Sequence, residues 1–348
     1  MMTAMKLLSY LFLTLLLFLP SILRADSAIL GQGSFRYAVV PDWGRAALAQ
    51  VKVKNGHSVV IDSLNRLLFL TDDAQNNVII LDSKTGDLVS HWTARLPGAH
   101  GMTLIKEGTQ EFLVITDTAL HEVRKLSLTG TELARFPWPE ESGLYAKADE
   151  YRPSKILHHP DGRLWIFDGY GKDYIHEYKA DGTWVKSWGG NLGQSADQLV
   201  HWGPHGGALD LRDPAKPCII IAMSDQQEIR RFSLGGRFID KIPFPGGNPR
   251  DLVLHGAHSI IPHLGDNWPA DKNASGFISI VDSEFKIVSN IGAFAAEYKD
   301  GILQTLHSDG KTFIHPHGLC TDSEGNLFVA QFASQAAPLL KLQRIKDL

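Results

Sequence analysis

Pro153-Ser154-Lys155-Ile156-Leu157 leads through Asp161-Gly162 to Leu164-Trp165-Ile166-Phe167-Asp168, and Thr183-Trp184-Val185-Lys186-Ser187-Trp188 follows. Apolar runs of four or five residues, broken by Asp-Gly turns, read as short strands and not as helices. The unit recurs along the chain. Gly56-His57-Ser58-Val59-Val60-Ile61 leads through Asn65 to Leu67-Leu68-Phe69-Leu70, and Pro316-His317-Gly318-Leu319 leads through Glu324-Gly325 to Leu327-Phe328-Val329-Ala330. Further starts lie at His100-Gly101, His205-Gly206 and Pro249-Arg250. The six starts, near 57, 100, 154, 205, 250 and 317, are about 52 residues apart on average, the period of a four-stranded propeller blade. One blade cannot bury both of its faces, whereas six in a ring can. Fourth strands are expected over 87–92, 183–188 and 237–242, and the segment 35–40 has no start of its own. It is expected to add an outer strand to the last blade and close the ring. The expected fold is all-β, a single six-bladed β-propeller.

The N-terminus reads differently. Lys6 precedes a mostly apolar run over 7–23, and the small residues Ala25, Ser27 and Ala28 follow. That order describes a secretory signal peptide over 1–27, with the propeller occupying 28–348; an uncleaved anchor or an internal helix are the other readings. Localisation is therefore expected to be secreted or periplasmic. Cys218 and Cys320 sit in apolar strand-like contexts without a CxxC partner, so free buried thiols are expected, although that compartment allows a disulfide. The 348 residues hold 34 Lys+Arg and 38 Asp+Glu, a net charge of −4 that gives no basic surface for nucleic acid. Apolar residues at 44% exclude a largely disordered chain. Thirty-two Gly fit many turns, while 15 His are a surplus.

Aligning the units accounts for part of that surplus. One inner ring holds His57, His100, Ser154, His205, Arg250 and His317. His100, His205 and His317 come from blades 2, 4 and 6, which a six-fold ring relates by about 120°. Three imidazoles and an open position make the ligand set of a catalytic zinc site. Each is followed by Gly, which admits close backbone approach. His57, at the same position in blade 1, is a fourth ligand, a supporting group or a channel liner. The ends of the second strands add Asp72, Asp73, Asp117, Asp168-Gly169-Tyr170, Ser224-Asp225, His263 and Gln331 to the same face. Most of these aspartates are expected to cap turns. Tyr170 is a candidate for proton transfer beside a metal. The remaining histidines, His176 among them, are expected on strands or the surface, with His201 at the rim. Asn273-Ala274-Ser275 is a glycosylation sequon. Insertions at 138–152, 189–203, 264–275 and 293–313 are free to form a rim.

These segments resemble NHL-type propellers of the peptidyl-α-hydroxyglycine α-amidating lyase (peptidylamidoglycolate lyase) family. The resemblance is carried by His100-Gly101 with Thr116-Asp117 and the run to Leu126, by 164–170 with 182–189, by Pro204-His205-Gly206 and by Pro316-His317-Gly318-Leu319. It spans about residues 37–342. It implies zinc on His100, His205 and His317, with Tyr170 taking the proton of a substrate hydroxyl. The implied reaction cleaves the C–N bond of an N-acyl hemiaminal to an amide and glyoxylate. Two arginines of the family, which are thought to hold the substrate carboxylate and support charge, are Asp73 and Ser224 here. Asp73 would repel a carboxylate, so weak or no glyoxylate release is expected unless Arg250 or another group substitutes. The family's structural calcium site also loses an Asp, which is Gly318 here. The resemblance implies a small-molecule or peptide substrate; a monomer is expected, with no membrane contact after signal removal. A hydrolase on the same scaffold and a non-catalytic binding propeller stay open as readings.

Overall fold

The computed structural model describes residues 28–191, 199, 203–265 and 274–346. The expected signal segment, the rim residue His201 and the sequon's Asn273 lie outside them. Six antiparallel sheets, each built on four strands, follow one another along the chain as the blades of a propeller. Their innermost strands are Gly56–Ile61, Ala99–Glu107, Lys155–His158, Pro204–Asp210, the interrupted pair Asn248–Pro249 and Val253–His255, and Pro316–Thr321. These fall on the six starts read from the sequence. The expected fourth strands are Leu88–Trp92, Trp184–Gly189 and Phe238–Pro243.

Closure is also as expected. Phe35–Val39 pairs antiparallel with Leu339–Ile345, with Arg36 opposite Ile345 and Val39 opposite Leu342. A short strand, Leu30–Gln32, adds a fifth member outside it. Helix is confined to Arg45–Leu48 and the two 3-10 turns Glu140–Ser142 and Ala148–Glu150 among the described residues. The 293–313 insertion carries the hairpin Tyr298–Lys299 with Ile302–Leu303, then returns as Phe313–Ile314 to pair with blade 5.

The packing explains the sequence pattern. A blade's middle strands are covered on both faces by neighbouring blades, so apolar residues run on without alternation. Leu67, Leu68, Phe69 and Leu70 are all fully buried, as are Ile219 through Met223. Leu68, Leu70 and Val78 of blade 1 pack with Met102, Leu113 and Ile115 of blade 2 in one inter-blade cluster, and the other interfaces repeat the arrangement. Outer strands are half-covered and carry exposed Val89, Leu133, Val185 and Ile239. Both cysteines are free thiols.

Candidate metal centre and active site

The pairing between first and second strands slips at His57, at His100-Gly101, at His205 and at His317. In blade 1, for example, Gly56 faces Thr71 while Ser58 faces Leu70. Each histidine therefore stands at a β-bulge, a device that turns a side chain out of the ladder. The bulges aim all four toward the propeller axis. Ring centroids of His100, His205 and His317 are 4.7, 4.8 and 4.9 Å apart, and His57 lies 5.0 Å from His100 and 4.9 Å from His317. One ligand atom each from His57, His100 and His317 lies within 4.8 Å of the others, a cluster able to hold a metal ion. His205, expected from the sequence as a ligand, lies outside that group of ligand atoms; its ring forms a second triangle of centroids on the shared His100–His317 edge.

Hydrogen bonds separate the two triangles. His100 Nδ1 donates to Ser154 O at 2.9 Å, His205 Nδ1 to Arg250 O at 2.7 Å, and His317 Nδ1 to His57 O at 2.8 Å. Each acceptor is the carbonyl of the ring residue in the next blade, so blades 2, 4 and 6 follow one threefold rule. A carbonyl cannot donate, so Nδ1 carries the proton and Nε2 presents its lone pair. The same carbonyls explain the glycines: a Cβ on Gly101, Gly206 or Gly318 would stand 2.3, 2.3 or 2.5 Å from the Ser154, Arg250 or His57 oxygen. Among the described residues neither His57 nitrogen has a hydrogen-bond partner, and its Nε2 lies 3.5 Å from Asp72 Oδ2.

Burial holds His100, His205 and His317 well below the ordinary imidazole value, reinforced chiefly by His57, Arg250 and His100 respectively. They are neutral, as ligands must be. Burial would raise Asp72, but its close contact with His57, aided by Asn55 and Lys54, holds it at about 2.

Tyr170 comes to the same point. Its hydroxyl is 3.1 Å from His100 Nε2 and 2.7 Å from His205 Nε2. It has one proton for two lone pairs, and the hydrogen bond of His317 among the described residues is made at Nδ1. Lone pairs thus outnumber donors around a neck of about 10 Å³. Three neutral imidazole nitrogens suit a borderline-soft divalent ion such as zinc. They do not suit calcium, which takes oxygen ligands, and no acidic cluster for calcium occurs among the described residues. Burial pushes the Tyr170 hydroxyl pKa up; Arg250 draws it down and Asp225 pushes it up.

Arg250 lines the neck at 4% exposure, and its Nε has no partner among the described residues. Burial lowers its pKa, with Tyr170 and Asp225 opposing. No ion pair or side-chain hydrogen bond engages this guanidinium among the described residues, which leaves it available to an anion.

Asp73 and Ser224 are elsewhere. Asp73 Oδ1 takes the N–H of Gln75 at 2.9 Å, its Oδ2 lies 3.4 Å from Lys52 Nζ, and it does not line the neck. The carboxylate beside the histidines is Asp72, one residue earlier, because the strand ends at Thr71 and the chain turns there. Ser224 Oγ is fully buried and donates to Pro249 O at 2.6 Å, tying blade 4 to blade 5. Asp117 caps its turn as expected, accepting from Ala119 and Leu120 N–H. His263 is an interior residue, stacked 4.5 Å from Phe277, and Gln331 bonds Ile314 N and Ala337 O.

One group was not visible in the sequence. Asp168 is fully buried beneath the Tyr170 turn. Its Oδ2 takes the Tyr145 hydroxyl at 2.7 Å, and Tyr145 Oη also meets His176 Nε2 at 2.7 Å. His176 is a histidine on a strand buried on both faces, and that placement is the signal that it needs a polar partner. Burial raises the Asp168 carboxyl to about 7 against the pull of Lys172, Arg152 and Tyr145.

No family model matches this chain, and no curated protein matches it significantly. Solved structures match over most of its length. A gluconolactonase from Xanthomonas campestris is 14% identical with a TM-score of 0.55, over 92% of this chain and 95% of that one. A streptogramin B lyase is 14% identical with a TM-score of 0.54, over 84% and 94%. The hydrazine synthase of Kuenenia stuttgartiensis is 12% identical with a TM-score of 0.53, over 85% and 97%. At these identities the likeness is one of fold, the six-bladed propeller.

Proposed function

We propose that this protein is a metal-dependent carbon–nitrogen lyase of amidating-lyase type, acting on an N-acyl hemiaminal that bears a carboxylate. The observation that carries the reading is the threefold set of Nδ1–H···O=C bonds, which leaves the Nε2 atoms of His100, His205 and His317 as converging lone pairs next to the Tyr170 hydroxyl. These three residues hold the ion. Bound there, a zinc ion would supply positive charge that polarises the substrate hydroxyl and favours ionised Tyr170.

The chain's own groups do the rest. Arg250 takes the substrate carboxylate with its unpaired guanidinium, in place of the arginines that Asp73 and Ser224 replace. Tyr170, as phenolate, accepts the proton of the substrate hydroxyl. The O–H electron pair forms the new C=O bond, the C–N pair departs on nitrogen, and the proton passes from Tyr170 to that nitrogen. The products are a primary amide and glyoxylate, with all atoms accounted for. Streptogramin B lyase and gluconolactonase, both enzymes on this fold, are compatible with a propeller catalyst. In this reading the protein works outside the cytoplasm, as a monomer, after loss of residues 1–27.

The test incubates zinc-loaded protein with an N-acyl-α-hydroxyglycine and measures glyoxylate and amide in equal amounts. The expected result is release that depends on metal and on Tyr170. Hydrolysis of a sugar lactone without glyoxylate release would replace the lyase reading with a hydrolase. No turnover of either by metal-loaded protein would leave a binding propeller.

A further inference from the structure

Blade 3 hides a run of polar side chains that the reaction above does not use. Trp184 Nε1 lies 3.2 Å from Ser187 Oγ, and Ser187 Oγ lies 2.7 Å from His176 Nδ1. His176 Nε2 and Asp168 Oδ2 are each 2.7 Å from Tyr145 Oη. His176 and Asp168 are fully buried, and Tyr145 is nearly so.

With Asp168 ionised, the Tyr145 hydroxyl donates to it, so Tyr145 Oη has only lone pairs left for His176 Nε2, which must donate. Burial pushes His176 down to about 3, so the ring is neutral and carries that one proton. His176 Nδ1 then accepts the Ser187 hydroxyl, and Ser187 Oγ accepts the Trp184 indole N–H. Burial also raises the Tyr145 pKa, which keeps it a donor. The run is polarised from Trp184 to Asp168 with no group left unsatisfied.

Its far end grips the turn that bears Tyr170. Asp168 Oδ1 accepts Arg152 N–H at 2.6 Å, while Arg152 O accepts Tyr170 N–H at 3.3 Å, so Arg152 is held through both of its backbone polar groups. Asp168 Oδ2 also takes Lys172 N–H at 2.6 Å. Lys172 Nζ reaches back to Leu144 O at 2.9 Å and Glu150 Oε2 at 2.7 Å, which joins the 138–152 insertion to the same turn. Burying this much polarity costs more than an apolar filling of equal shape, and such networks are kept where they fix one geometry.

We propose that the Trp184–Ser187–His176–Tyr145–Asp168 run is a positioning element that fixes the Tyr170 hydroxyl against His100 and His205. The proposal rests on the reading of Tyr170 as the proton-transfer group, but its test does not need activity. Tyr145→Phe keeps the ring and removes the one hydroxyl that joins His176 to Asp168. In metal-free protein with ¹³Cζ-labelled tyrosine, the Tyr170 resonance is assigned by its loss in Tyr170→Phe. It is expected to shift or broaden in Tyr145→Phe, although the two residues do not touch in the described contacts. Ser187→Ala, which cuts the run one turn further away, is expected to move it in the same sense and serves if Tyr145→Phe does not fold. If the lyase reading also holds, kcat falls about tenfold in Tyr145→Phe while KM and metal affinity stay within about twofold. A Tyr170 resonance unmoved in the folded variants, with only melting temperature lowered, would reduce the run to a structural one and overturn the proposal. Absence of lyase activity in the wild type would sink the functional reading and leave the resonance test standing.

Discussion

Gly206→Ala is the substitution that separates the orientation of a ligand from its presence. His205 remains, but the added Cβ would stand 2.3 Å from Arg250 O, 2.8 Å from Asp251 Oδ1 and 2.9 Å from Asp251 Cα. Ordinary contact starts at 3.4 Å, so the blade 5 backbone must retreat by about 1 Å. The Arg250 carbonyl is the acceptor that holds His205 Nδ1 at 2.7 Å. A 1 Å retreat takes that bond beyond about 3.5 Å, where it no longer orients the ring. Loss of such a partner typically lowers metal affinity about 10–100-fold, or roughly 1.4–2.7 kcal/mol. Crowding the backbone adds a stability loss of about 1–3 kcal/mol. The assay is competition for zinc against a chromophoric chelator on folded protein, with urea unfolding run in parallel. Gly235→Ala is the control, since the nearest heavy atoms there are 3.8 and 3.9 Å away, and both quantities should stay at wild-type values. A folded Gly206→Ala protein that binds zinc as tightly as the wild type would refute the orienting role of the carbonyl.

Arg250→Gln should raise KM for a carboxylate-bearing hemiaminal by at least about tenfold, through loss of a charge-assisted contact, and leave an uncharged hemiaminal unaffected; steady-state kinetics on the pair decides it. Asp168 supplies a pH signature. Its folded pKa is raised to about 7 from 3.8, so the folded state holds its proton more tightly than the unfolded chain does. This contribution is fully present below about pH 4 and is lost as pH rises through about 7, a swing of roughly 4 kcal/mol. The urea stability of wild type minus that of Asp168→Asn, measured from pH 4 to 8, should fall with pH across that window; parallel curves would contradict the assignment.

Much of this was legible in the residues because a propeller repeats itself. The six starts set the blade register, and the His-Gly pairs at 100, 205 and 317 mark blades 2, 4 and 6. The reason for the glycines was only half visible. Close approach was expected, but the partner is a carbonyl in the next blade, 54 or 45 residues from the neighbouring histidine in sequence, or across the ring closure, which spacing alone does not reveal. The sequence puts both Asp72 and Asp73 at the end of blade 1's second strand, and only Asp72 stands beside the histidines, because a one-residue step at a turn changes which side chain faces the axis. His57 could not be resolved by spacing, since it shares its ring position with the other three and differs only in lacking a carbonyl for Nδ1. His176, Tyr145 and Ser187 carry no local motif. Their relation exists only because an insertion before blade 3 folds back over its third strand.

The central claim is that His100, His205 and His317 hold the metal and His57 does not. Zinc stoichiometry and affinity of the wild type and of the four single His→Ala variants test it directly. The account predicts one equivalent in the wild type and a loss of at least about 100-fold at positions 100, 205 and 317. It predicts a change of less than about tenfold for His57→Ala, with Asp72 still hydrogen-bonded by Asn55. A wild-type protein that binds no divalent ion would contradict the account, as would a site abolished by His57→Ala and preserved in His205→Ala.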